Sequence, residues 1–175
     1  MAELFGGTVI GGGDILRGSD IPAHVKAIMH AGLLIPSADY VNIVLPYLSQ
    51  SELAGSPLIL SAVGRWHGEE IGVIEALQYA GHPLQACIYL SVDEATIMNR
   101  WHAHEEHKDR SVRHDDAIDV LMARFAEFHA KTMPVIEYYR SRGRLIEVDS
   151  TGTREEVTRK IIDGLIQLAH LQPRA

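Results

Sequence analysis

Four short, almost unbroken apolar runs constrain this chain more than any other feature: Thr8-Val9-Ile10, Pro57-Leu58-Ile59-Leu60, Ala86-Cys87-Ile88-Tyr89-Leu90 and Leu145-Ile146-Glu147-Val148. Runs of this length that do not alternate suit strands covered on both faces, as in a parallel sheet. Helical patterns lie between them. Ile21 to Ala31 follows Ser19 and Asp20, carries Pro22 in its first turn and stops at Gly32. Ser37 to Leu48 places Tyr40, Val41, Val44 and Leu48 at helical spacing, and Glu69 to Tyr79 is closed by Gly81. Ser91 with Glu94 forms a capping-box pattern ahead of Ile97 and Met98. Asp116 to His129 carries Val120, Leu121, Phe125 and Phe128 on one stripe, and Thr153 with Glu156 opens a final helix through Val157, Ile161, Leu165 and Leu168. This alternation predicts an α/β fold, a parallel sheet with helices on both faces and right-handed crossovers. Two helices fall between the first two strands, which predicts a small helical flap there.

The length of 175 residues suits one domain, and a 46% hydrophobic content is enough for a globular core. A net charge of -7 argues against a general nucleic-acid binder. The single cysteine, Cys87, excludes an internal disulfide framework and a cysteine-rich zinc site, and its apolar neighbours mark it as a core residue. No apolar stretch reaches membrane-spanning length, and the first residues lack a basic start and apolar region of the secretory kind. The expectation is a cytoplasmic protein with no nucleic-acid or membrane partner.

In such a sheet, ligands sit outside the carboxyl ends of the strands. Gly11-Gly12-Gly13-Asp14 follows the first strand, where a glycine-rich turn allows close backbone approach, and Arg17 lies just beyond. Arg65 follows the second strand in Ser61-Ala62-Val63-Gly64-Arg65. Arg100, Arg110, Arg113 and Arg124 follow the third. A guanidinium fork grips phosphate oxygens bidentately, so arginines at these places predict a site for phosphorylated ligands. His102, His104 and His107, with His114 nearby, read as a solvated polar surface rather than a metal cluster, and no metal ligand is assigned. Trp101 suits either base stacking or packing. Of Asp115 and Asp116, one suits a helix cap and the other the orientation of an arginine.

From about residue 3 to residue 168 the chain resembles the adenylate kinases, within the nucleoside monophosphate kinase family. Gly13-Asp14-Ile15-Leu16-Arg17 resembles the motif that opens the monophosphate-binding flap, and Ala31-Gly32-Leu33-Leu34-Ile35-Pro36 the segment that closes it. Leu60 to Arg65 resembles the strand-end motif that holds the acceptor phosphate. Arg113-His114-Asp115-Asp116, with Arg124 and Phe125-Ala126-Glu127-Phe128, resembles the motif after the lid, and Val148-Asp149-Ser150-Thr151 the turn near the donor adenine. The resemblance implies one domain over 1–175, with a flap at 18–50 and a short lid at 101–112. It implies phosphoryl transfer from ATP to AMP, giving two ADP, with Mg²⁺ on the phosphates. Arg17 and Arg65 would grip the acceptor phosphate, Gly12 would lie at the acceptor site, Met29 and Ile35 would line the base pocket, and Glu69 would face the acceptor base. Arg100 would lie against the donor, and Arg113 and Arg124 would reach the transferring group, with His104 and Arg110 on the lid.

Four features depart from the family pattern. The family's G-x-x-x-x-G-K-[ST] loop is missing. The chain has only four lysines, Lys26, Lys108, Lys131 and Lys160, none of which follows a glycine. Gly13 precedes Asp14 where that loop needs lysine, and Met1 to Gly6 matches the end of the helix that follows the loop. Loss of the first strand and its loop removes the backbone cradle for donor phosphates and exposes two inner strand edges. A longer native protein is the favoured explanation, and a relic without kinase activity the alternative. Ser61 stands where an aspartate is usual near Mg²⁺. Glu69 stands where a glutamine reads the acceptor adenine, and a carboxylate accepts but does not donate. His104 stands for a second lid arginine. The expectation is therefore an impaired kinase, with a nucleotide-binding relic or a kinase for another small phosphate acceptor as alternatives.

Overall fold

The computed structural model describes residues 5–31, 33–48, 50, 53, 55, 57–107 and 118–171. The elements run β1 (Thr8–Gly11), α1 (Gly12–Gly18), α2 (Ala23–His30), α3 (Ser37–Leu48), β2 (Leu58–Ser61), α4 (Glu69–Tyr79), β3 (Cys87–Ser91) and α5 (Glu94–His107). After these come α6 (Ile118–Glu127), a π-helical turn (Phe128–Thr132), α7 (Met133–Ser141), β4 (Leu145–Asp149) and α8 (Arg154–Leu171). All four apolar runs are strands. The chain divides into two compact units, Met1–Leu84 with His114–Glu137, and Gln85–Arg113 with Tyr138–Ala175.

In the first unit β1 pairs parallel with β2, from Thr8 opposite Leu58 to Gly11 opposite Ser61. Among the described residues the crossover between them carries three α-helices rather than two. The extra one, α1, begins inside the glycine-rich stretch, so those residues form a helical first turn and not an open one. Glycine is required there for packing. A Cβ at Gly12 would stand 2.5 Å from the Ala62 carbonyl oxygen, so the start of α1 lies directly against the chain leaving β2. Helix α3 buries Tyr40, Val44 and Leu48, one face at a spacing of four, against Ile10, Val25 and Leu77 of the same core.

The end of α6 changes pitch for a local reason. Pro134 has no N–H to offer the carbonyl of Ala130, and the turn just before it widens to π geometry before α7 resumes. The stripe expected over Asp116 to His129 is thus helical from Ile118, with residues 108–117 outside the described residues.

In the second unit β3 pairs parallel with β4, from Cys87 opposite Leu145 to Ser91 opposite Asp149. The four strands form two parallel pairs among the described residues. Ile146 and Val148 of β4 are buried, whereas Ile88 and Leu90 of β3 are exposed. The capping box expected at Ser91 and Glu94 does not form. Asp93 caps α5 instead, its carboxylate accepting from Thr96 N–H at 2.6 Å, because Ser91 remains in β3 and its carbonyl accepts from Ser150 N–H. The box at α8 forms as expected, with Thr153 N–H donating to Glu156 at 2.8 Å and Glu156 N–H to the Thr153 hydroxyl at 3.2 Å.

Helix α8 meets β4 through a missing side chain. A Cβ at Gly164 would lie 2.5 Å from Cγ2 of the buried Ile146. That methyl sits on a branched carbon and has no room to swing away. Gly164→Val is expected to destabilise the protein by roughly 1–3 kcal/mol. Thermal unfolding followed by circular dichroism measures it, and an unchanged melting temperature would show that α8 does not pack this closely.

Candidate functional site

The site is built where β2 ends. The turn after Ser61 contains three left-handed residues, Ala62 (φ +56°), Gly64 (φ +67°) and Gly68 (φ +101°), which fold the chain tightly before α4. Its N–H groups are held by side chains. Gly64 donates to the Tyr40 hydroxyl at 2.6 Å, Trp66 to Glu69 Oε2 at 3.1 Å and Gly68 to Glu70 Oε2 at 2.6 Å. Glu69 and Glu70 are only 5% and 1% exposed, so two carboxylates at the start of α4 serve as internal acceptors for the turn. From this pinned turn Arg65 projects.

Burial, then the nearby Arg124, push the Arg65 guanidinium below its ordinary pKa, while Glu127 and Glu69 support its charge. Arg124 and Glu127 lie one turn apart on α6. Glu127 accepts from Lys131 Nζ at 2.8 Å and from the Leu34 N–H at 3.3 Å, and Lys131 Nζ stands 3.8 Å above the Trp66 ring. His67 N–H donates to the Lys131 carbonyl at 3.2 Å, which ties the Arg65 turn to the π-helical turn. Three cations and two carboxylates therefore share one partly buried region of the first unit. Chemically, such a region can hold a multiply charged oxyanion, because two guanidiniums already share the Arg65–Arg124 region and the compensating charges sit beside them.

Glu69 is itself shifted. Burial raises its carboxyl above the usual range, against the opposing pull of the Trp66 N–H, the Ser37 hydroxyl and the Arg65 N–H, with Glu70 adding to the rise. Its Oε1 is buried without a well-formed hydrogen bond.

The other predicted residues fall out differently. Arg17 ends α1 and pairs with Asp14 at 2.6 Å, both exposed, and the charges acting on Arg65 are Arg124, Glu127 and Glu69. Gly12 is buried at the start of α1. Ile35 belongs to the hydrophobic core, and Met29 packs against that core. In the second unit Arg100 is exposed and donates to the Ser150 carbonyl at 2.9 Å, which fastens α5 to the turn after β4. Trp101 stands edge-on to His102, 5.0 Å between ring centres. His104 falls on α5, but its side chain lies outside the described residues, as do Arg110, Arg113, Asp115 and Asp116. Among the described residues no group of three His, Cys, Asp or Glu is placed to hold a metal ion, and Ser61 offers only a neutral hydroxyl. Burial pushes the Cys87 thiol up to about 11, which fits a packed thiol over a reactive one. No described helix is long and apolar enough to cross a membrane.

Glu127, Lys131, Tyr40 and Glu70 carry the site without having been singled out for it. Glu127 and Lys131 were legible as an ion pair at a helical spacing of four. Nothing in the sequence announces that Tyr40 reaches Gly64, since that contact spans 24 residues.

No protein-family model matches the chain. Curated relatives do. The adenylate kinase of Nitrobacter winogradskyi is 34% identical over 157 residues, 85% of this chain and 76% of that protein. That of Chelativorans sp. is 32% identical over 165 residues, 90% of this chain and 84% of that protein. That of Caulobacter vibrioides is 28% identical over 162 residues, 90% and 83% respectively. With parallel strands and intervening helices, similarity of this extent defines an α/β phosphotransferase of the nucleoside monophosphate kinase class. The chain belongs to the adenylate kinase family.

The raised Glu69 pKa has a stability consequence. The native carboxyl holds its proton more tightly than the unfolded one, so stability falls as pH rises from the unfolded Glu value through the native one. Glu69→Gln removes that loss. Its melting temperature relative to the unsubstituted chain is expected to rise as pH is raised above the ordinary glutamate range. A difference that stays constant with pH would show that Glu69 ionises normally.

Proposed function

We propose that the first unit carries the acceptor side of an ATP:AMP phosphotransferase, and that Arg65 with Arg124 holds the acceptor's phosphate. The observation that carries this reading is Arg65 itself, half-buried on a pinned turn at the carboxyl end of a parallel strand and electrostatically coupled to Arg124. Such cations are positioned before the ligand arrives, which suits phosphoryl transfer, where catalysis is mostly placement and neutralisation of developing charge. Residues 18–50 form the flap over the acceptor, with Met29 and Ile35 on the base side and Glu69 facing the base. Arg17 turns from Asp14 to the phosphate, an exchange made easy by the small worth of an exposed ion pair. On the donor side, Arg100 and the turn at Asp149 to Thr151 in the second unit lie against the nucleotide, with 101–112 as a short lid carrying His104 and Arg110, and Arg113 just after it. Mg²⁺ would enter on the phosphates of ATP. The described residues supply no carboxylate set to ligate it, so no step is assigned to a protein-bound metal.

The 175-residue chain contains no G-x-x-x-x-G-K-[ST]. Without that lysine and its backbone cradle, we expect AMP binding to persist while transfer fails. Calorimetric titration should detect AMP, and Arg65→Gln should weaken AMP binding by roughly 2–5 kcal/mol, as for loss of a buried charged partner. Unchanged affinity removes Arg65 from the site. A coupled assay for ADP should show no turnover above background, and turnover at rates typical of kinases would mean that another cation replaces the absent lysine. Binding of another nucleoside monophosphate in preference to AMP would reassign the acceptor while keeping the reaction class.

A further inference from the structure

The charge around Arg65 is not accounted for by acceptor binding alone. Glu127 stands one helical turn beyond Arg124, on the last turn of α6, with its side chain only 17% exposed. Its carboxylate faces in three directions. It pairs with Lys131 at 2.8 Å, accepts from the Leu34 N–H at 3.3 Å, and supports the charge on Arg65. Leu34 belongs to the segment between α2 and α3. One carboxylate thus links the end of α6 to a segment 93 residues earlier and adds to the field at Arg65. Lys131 is as firmly placed. Its ammonium lies over Trp66, the neighbour of Arg65, and its carbonyl accepts from His67. The π-helical turn before Pro134 carries Lys131.

We infer that Glu127 is a positioning residue that acts as a built-in counter-anion. It sets the field of the Arg65–Arg124 pair and competes with an incoming oxyanion, while Lys131 holds it back from doing so fully. This rests on the acceptor-site reading above. A phosphate drawn to the two arginines meets the Glu127 charge already there, and two anions sharing the same cations repel. Lys131 takes up part of that charge. Removing Glu127's charge must therefore strengthen oxyanion binding, and removing Lys131's must weaken it. A scaffold role would give no such opposition of sign, because loss of either partner of a structural ion pair damages the same contact.

The test is calorimetric titration of the full chain with AMP, and separately with inorganic phosphate, for the unsubstituted protein, Glu127→Gln, Lys131→Met and the double variant. Glutamine keeps the size of the side chain and an oxygen for the Leu34 N–H. Glu127→Gln is expected to bind AMP at least about fivefold more tightly, a modest coupling between sites. Lys131→Met should bind at least about fivefold more weakly, and the double variant should bind about as tightly as Glu127→Gln, because Lys131 acts through the Glu127 charge. Added salt should narrow the differences, since it screens charge and leaves packing alone. Equal or weaker binding by a Glu127→Gln protein that still melts cooperatively overturns the inference. If that variant does not fold, Lys131→Met decides alone, and unchanged affinity there overturns it. The acceptor-site reading fails separately. Absence of AMP binding in the unsubstituted chain sinks both, whereas binding that is lost in Arg65→Gln but not strengthened in Glu127→Gln sinks only the counter-anion.

Discussion

The first unit is organised around the cost of burying charge. A guanidinium, two glutamates at the start of α4 and the Glu127–Lys131 pair are all largely removed from water, and taking charge out of water is costly unless it is paired. Each is matched. Glu70 takes the Gly68 N–H and faces His67, Glu69 takes the Trp66 N–H, and Glu127 takes an ammonium and a backbone N–H. The charges are therefore interdependent. Moving Arg65 would change the field at Glu69 and Glu127, and moving either carboxylate would change the turn that carries Arg65. Buried ion pairs of this kind add little net stability, but breaking one partner is expensive, and that asymmetry fixes geometry more than it raises stability.

Legibility in the sequence followed the range of the forces involved. The four strands were readable because continuous apolar runs are local signals, and α3 and α4 were read to the residue because their apolar spacing and end residues agree. Helix α1 was missed because glycine disfavours helix locally, while the close approach to Ala62 that demands glycine is a long-range packing fact. Helix α7 was not read from the sequence; Pro134 stands in its first turn, where proline is tolerated and the preceding helix yields by widening. At α5 the strand claimed Ser91, the expected cap, leaving Asp93 to cap. Within the site, Arg65 and Arg124 could be named from motif position, but their mutual proximity could not. Arg17 could have been read more fully, since Asp14 lies three residues before it and the pair is a helical neighbour contact.

The proposed chemistry is also divided between the two units. The residues proposed for the acceptor (Gly12, Arg17, Met29, Ile35, Arg65, Glu69 and Arg124) all belong to the first, and Arg100 with the turn after β4 belongs to the second. Arg100, proposed for the donor, also has a structural part. By fastening α5 to the Ser150 carbonyl it uses one face of its guanidinium, and the planar fork has further donors. An arginine placed this way is held in position by the fold rather than by its substrate.

The turn that delivers Arg65 explains why so much of the unit converges on it. Ala62 holds a left-handed backbone, a conformation that costs an ordinary residue about 1–2 kcal/mol. Such strain persists only where surrounding contacts outweigh it. Here the contacts are visible: the start of α1 presses on the Ala62 carbonyl, where only Gly12 permits it, and the Tyr40 hydroxyl captures the next left-handed residue, Gly64, at 2.6 Å. Val73 closes the space beside Gly64, where a Cβ would come within 3.0 Å. A looser turn would relieve Ala62, but Arg65 would then sample many positions, and an oxyanion would have to organise its own binding site. Because the strain is held by the hydrophobic core through Tyr40 and Val73, the stability of that core is what keeps the cations in place.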